Sequence, residues 1–185
     1  MLKKLSAVTL TTLLLLIPVP VAAAKVEPAG GAVIYGQPDE ASMASRVTAM
    51  ASHLDGNGYW VATANGMVLN FGSAGHFGDM DSVTLNQPVV GMAPTKTGNG
   101  YWLVASDGGI FSFGDAAFYG SAGAVVLNSP IVGMAATNAG RGYWLVAADG
   151  GVFSYGDAVF HGSTGDLVLN RPIVSLLSTN TDAGY

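Results

Sequence analysis

The sequence predicts an all-β fold assembled from tandem units of about 42 residues, and three observations carry that prediction. Gly58-Tyr59-Trp60 returns as Gly100-Tyr101-Trp102 and again as Gly142-Tyr143-Trp144, and the flanking residues stay in register without a gap. Short apolar runs between these tripeptides are separated by glycine-bearing turns, which is the pattern of strands and hairpins. Glycine is abundant at 26 residues while 50% of the chain is hydrophobic, a pairing that fits many short strands rather than disorder.

Within one unit the elements follow in order. Ile131-Val132-Gly133-Met134-Ala135 reads as a first strand entered through Pro130, whose missing N–H is tolerated at a strand start. A polar loop from Thr137 to Arg141 leads to a second strand, Tyr143 to Ala147. Asp149-Gly150 then signals a two-residue hairpin with positive φ at both central positions, matched by Asp107-Gly108 and by Asn65-Gly66. A third strand spans Val152 to Tyr155, Gly156-Asp157 turns the chain, and Val159-Phe160-His161 is expected as a brief fourth strand. Four strands in roughly 42 residues match one propeller blade, with a β-solenoid as the alternative. The second and third strands are apolar at consecutive positions, so both faces of each sheet are expected to be covered. The first strand is built of small or flexible residues, as Ala49-Met50-Ala51, Gly91-Met92-Ala93 and Gly133-Met134-Ala135. The register extends back to Gly30 and Tyr35-Gly36, which sets the array at residues 30–185, about 3.7 units. Closed propellers have roughly 4–8 blades. The array is therefore expected to be incomplete: a fragment, a truncated product, or a protomer that completes its ring by self-association.

Residues 1–24 read as an export signal, with Lys3 and Lys4 ahead of an apolar run from Leu5 to Ile17. Pro18, Pro20 and the small residues up to Ala24 follow, and cleavage is expected after Ala24. The apolar run is shorter than the ~20 residues a spanning helix needs, so no membrane span is expected after cleavage. Residues 25–29 are expected to form a short linker. The chain contains no cysteine, which excludes a lipoprotein anchor and disulfide bracing. Without Lys3 and Lys4, the basic residues are Lys25, Arg46, Lys96, Arg141 and Arg171, scattered singly against twelve acidic ones. Such a surface offers no basic stripe, and nucleic acid is not an expected partner.

The stretch Gly100-Tyr101-Trp102-Leu103-Val104-Ala105-Ser106-Asp107-Gly108-Gly109-Ile110-Phe111-Ser112-Phe113-Gly114-Asp115-Ala116, followed by Phe118-Tyr119-Gly120-Ser121, resembles a repeat family of exported actinobacterial proteins. The resemblance covers residues 30–185 and implies a secreted or cell-surface location. Such repeats often accompany cell-wall hydrolase, peptidase or esterase domains, and no such domain is recognisable here. The first unit departs from the pattern, with Asn70 for Ser112, Ser73 for Asp115 and His76 for Phe118.

No catalytic, cofactor-binding or metal-binding residue is expected. His76 and His161 occupy positions held elsewhere by Phe118, Phe160, Phe77 and Tyr119, and read as packing positions, while His53 beside Asp55 reads as a solvated loop residue. Asn65, Gly66, Asp107, Gly108, Asp149 and Gly150 read as turn formers. Asp115 and Asp157 recur in the second turn, where backbone hydrogen bonding explains them and calcium is the lesser alternative. Asp79 and Asp81 form a close acid pair, which invites a glycosidase reading, but they occur in one unit alone. Trp60, Trp102 and Trp144 are candidates either for a sugar-stacking ladder or, preferably, for the core between units. The expected function is a secreted or cell-surface non-catalytic module that binds a cell-wall glycan or an envelope protein. The alternative is the accessory repeat region of a secreted cell-wall hydrolase or peptidase.

Overall fold

The computed structural model describes residues 33–39 and 43–185, so the expected export signal, the linker and the start of the array lie outside the described residues. Among the described residues, nine strands form three separate three-stranded antiparallel sheets. The first sheet contains β1 (Val47–Ser52), β2 (Gly58–Thr63) and β3 (Val68–Gly72). The second contains β4 (Val89–Pro94), β5 (Gly100–Ala105) and β6 (Ile110–Gly114). The third contains β7 (Ile131–Ala136), β8 (Gly142–Ala147) and β9 (Val152–Gly156). In each sheet the Gly-Tyr-Trp strand is central, so it has hydrogen-bonded neighbours on both sides. Pairing repeats in register, with Trp60 opposite Ala51 and Asn70, Trp102 opposite Ala93 and Ser112, and Trp144 opposite Ala135 and Ser154. No helix among the described residues is long and apolar enough to cross a membrane.

The core lies between consecutive sheets. Alternating residues along a strand face opposite ways. Trp60 and Ala62 of the first sheet therefore pack against Val89, Met92, Tyr101 and Leu103 of the second. Trp102 and Val104 meet Ile131, Met134, Tyr143 and Leu145 of the third in the same manner. Trp144 and Val146 meet Leu176, with Ile173 and Tyr185 alongside. The first strands of successive sheets lie side by side, β1 by β4 and β4 by β7. A Cβ on Gly91 would come within 3.4 Å of Gly133 Cα, and one on Gly133 within 3.5 Å of Ser175 Cα. The backbones of β4, β7 and the segment after Ile173 thus approach to within van der Waals reach of one added carbon. Backbone hydrogen bonds of 2.9 Å join the units as well, from Val89 N to Ala64 O, Ile131 N to Ser106 O and Ile173 N to Ala148 O.

Two expectations are corrected. The fourth strand does not form: Val159-Phe160-His161 carries no ladder, and each of the three sheets has three strands. Its backbone groups are engaged by aromatic side chains instead, because Val159 O accepts from Trp144 Nε1 at 2.7 Å and His161 N donates to Tyr185 OH at 3.0 Å. Nor is the hairpin a two-residue turn with two positive φ values. Gly108 has φ of 82° while Asp107 keeps negative φ, and Gly108 N bonds Ala105 O at 2.9 Å. Asp107 stays there because its Oδ1 accepts from Gly109 N at 2.9 Å, and Asp149 does the same for Gly151 N. This is a turn over Ser106 and Asp107 closed by a left-handed glycine.

Candidate functional site

Each tryptophan is driven inward by its place on a central strand and satisfied there. Trp60, Trp102 and Trp144 are 0%, 1% and 0% exposed. Their indole N–H groups donate to Gly75 O, Ala117 O and Val159 O at 2.6, 2.8 and 2.7 Å. Their rings lie 5.7 Å from those of Tyr101, Tyr143 and Tyr185, one unit on. A sugar needs an open ring face, and these rings have none. The stacking ladder is thus replaced by packing between sheets.

The tyrosines clasp each unit to the one before it. Tyr59 donates to Gly36 O, and Tyr101, Tyr143 and Tyr185 donate to Gly78 O, Gly120 O and Gly162 O at 2.5, 2.6 and 2.6 Å. The Tyr101 and Tyr143 oxygens also accept from Phe77 N and Tyr119 N. Burial pushes both hydroxyls above the ordinary tyrosine value, against the opposing pull of those hydrogen bonds. They remain protonated donors at neutral pH.

The turn residues hold the strand 2 to strand 3 connections. Gly66, Gly108 and Gly150 have φ of 86°, 82° and 84°, and their carbonyls accept from Met80, Ala122 and Thr164 N at 3.0 Å. Asn65 reaches further, donating from Nδ2 to Asp81 Oδ1 at 2.7 Å. Asp79 Oδ1 accepts from Asp81 N at 3.1 Å, the bond that Ser121 Oγ accepts from Gly123 N at 3.0 Å and Ser163 Oγ from Gly165 N at 3.1 Å. Asp79 therefore has a turn-forming role that serine fulfils in the other units, and the Asp81 carboxylate holds Asn65. His76 Nε2 lies 3.8 Å from Asp79 Oδ2. His161 packs its ring 5.6 Å from Tyr185, as an aromatic would.

At the opposite ends of the strands, the loops before the Gly-Tyr-Trp strands gather a second set of polar side chains. Thr95 Oγ1 donates to Asp115 Oδ1 at 2.8 Å and Thr97 to its other oxygen. Thr137 Oγ1 donates to Asp157 Oδ1 at 2.8 Å, and Arg141 Nε to Oδ2 at 3.3 Å. In the first unit Ser73 stands in place of the aspartate, and Asp55 supplies the carboxylate from the facing loop. Asp55 Oδ1 accepts from Ser73 Oγ at 2.9 Å and lies 2.7 Å from His53 Nδ1. The Asn57 N–H, with His53 and Ser73, holds the Asp55 carboxyl down at about 2.

Serine, histidine and aspartate within reach of one another invite comparison with a hydrolytic relay. In such a relay the serine and the carboxylate sit on opposite ring nitrogens, so a proton passes through the imidazole. Ser73 Oγ and Asp55 Oδ1 both lie at Nδ1, at 3.4 and 2.7 Å. The trio ties a loop and cannot relay a proton. Sequence reasoning missed this cluster, although an acid at position 55 where the next units have Thr97 and Ala139 was its signal.

Among the described residues no group of three or more His, Cys, Asp or Glu side chains is placed to hold a metal ion. What the surface offers is concave and open. One cavity of about 390 Å3 is bordered by Met50, Met92, Met134 and Leu177, drawn from β1, β4, β7 and the segment after Ile173. Another, of about 360 Å3, lies on the third unit between Val126, Asp149 and Phe160. No protein-family model matches the chain, and no curated protein is significantly similar to it.

Proposed function

We propose that this chain is an exported, non-catalytic interaction module whose repeated units present their loops and connecting segments to an envelope protein or a cell-wall glycan. The observation that carries the reading is the use made of its polar side chains. Asp55, Ser73, Asp79, Asp115 and Asp157, side chains suited to general acid–base or nucleophilic work, are engaged in closing turns and loops, and the tryptophans are engaged in closing units. The fold goes to rigid presentation, which is what a binding scaffold requires. Export rests on the charged, apolar and small-residue order of residues 1–24.

Within this reading the units are blades of a propeller-like array. Support comes from the cavity bordered by four successive inner segments, an arrangement suited to strands disposed around an axis. Retention of the mature chain on peptidoglycan and on purified envelope proteins tests the function. Retention on at least one is expected. Passage through both columns would overturn the proposal.

A further inference from the structure

Large exposed apolar side chains concentrate on one feature, the segment that links the third strand of a unit to the first strand of the next. Val126 is 96% exposed, Phe160 57% and Val125 51%. The same positions carry Val83 and Phe118 one unit earlier, and Leu167 and Val168 one unit later, all of them exposed. Exposed apolar groups collected in this way mark a contact surface. Where Val125, Val126, Phe153 and Phe160 border the cavity of about 360 Å3, Asp149 and Asp166 border it too, and its lining holds no Lys, Arg or His.

Resting on the interaction-module reading, we infer that this groove on the third unit binds an extended protein segment carrying apolar and basic side chains in alternation. The exposed aliphatic wall of Val125 and Val126 favours aliphatic and aromatic side chains, which gain by burying against it, over the hydroxyl-rich face of a sugar. The two carboxylates at the same rim select a cationic neighbour and repel an acidic one. An extended strand turns every second side chain to one face. One face can therefore lie on Phe160 and Val126, and the long, flexible lysine or arginine side chains of the other face can bend back over the strand's edge toward Asp149 and Asp166.

The probe is a synthetic octapeptide of alternating leucine and lysine, titrated into the isotope-labelled mature chain and followed by amide NMR shifts. A leucine–glutamate octapeptide and a soluble N-acetylglucosamine oligomer serve as controls. The lysine peptide is expected to shift residues 125–129 and 160–166, and Phe160→Ser to weaken it about tenfold. Asp166→Asn is expected to weaken it about threefold and to flatten its salt dependence. Both replaced side chains are exposed, and Val126→Ser provides an independent variant at the same wall. Equal binding of the glutamate peptide, affinity unchanged in the variants, or no shift with the lysine peptide would overturn the inference. Shifts caused by the oligosaccharide alone would overturn it while leaving the module reading standing, which fails separately if the chain passes through both retention columns.

Discussion

β1 and β4 are the same strand in two surroundings. Val47 and Met50 are 44% and 63% exposed, whereas Val89 and Met92 are 0% and 7% exposed, and Ile131 and Met134 in β7 match the second pair. Pairing within the sheet does not explain the difference, since β1 pairs with β2 as β4 pairs with β5. What β1 lacks, among the described residues, is a preceding sheet offering a tryptophan and an alanine. Burial in this molecule is therefore a property of adjacent units, and its stability is expected to grow with each neighbour contact.

The comparison breaks most sharply at the tryptophans. Trp102→Ala is expected to cost about 3–5 kcal/mol, because it empties the space between the second and third sheets and strands the Ala117 carbonyl. Urea denaturation would measure it, and a loss under about 1 kcal/mol would reject packing between sheets as the source of stability. Next comes the methionine pair. Met92→Ala should cost about 2–4 kcal/mol and Met50→Ala less than about 0.5. Equal losses would show that β1 is covered after all.

Strand positions were legible because the inter-unit core demands apolar residues at fixed spacing, and those spacings are visible in one sequence. The hairpin region was legible only in part: asparagine or aspartate before glycine marks a turn, but which residue takes positive φ depends on where the carboxylate bonds. The fourth strand was misread for a related reason. Val159, Phe160 and His161 have strand-like side chains, yet the Val159 carbonyl and the His161 N–H are claimed by Trp144 and Tyr185, fifteen and twenty-four residues away. The tryptophans were legible as large aromatics at a central position, and their depth became clear only when two units were placed together.

Two smaller effects sharpen the comparison of units. Gly108→Val should destabilise by more than about 1 kcal/mol, since φ is 82° and the new Cβ would sit 2.5 Å from that of Ala122. Unchanged thermal stability would reject the turn. In the other direction, Ser112 Oγ and Ser154 Oγ are buried without a hydrogen-bond partner, whereas Asn70 at the equivalent place donates to Ala74 O at 2.8 Å. Ser112→Asn is expected to stabilise by about 0.5–1.5 kcal/mol by reaching Ala116 O. A melting temperature that falls would show that the second unit has no room for the amide.

The smallest effect concerns the carboxylate that changed places. Asp55 titrates at about 2 against an ordinary 3.8 because the Asn57 N–H, then His53 and Ser73, favour its charged form. A depressed folded value means the unfolded chain binds the proton more readily. The contribution is fully present above pH 3.8 and is lost as pH falls through about 2. Its size is small, since the group is open to solvent. An NMR titration of the Asp55 carboxyl should give a midpoint near 2 in the wild type. His53→Ala should raise that midpoint more than Ser73→Ala does, because histidine contributes a hydrogen bond and a charge while serine contributes one hydrogen bond. Both variants should stay below 3.8, since the Asn57 N–H remains. A wild-type midpoint at the ordinary value would mean that the loop is not closed around Asp55, and the first unit would then lack the tie that Asp115 and Asp157 provide in the next two.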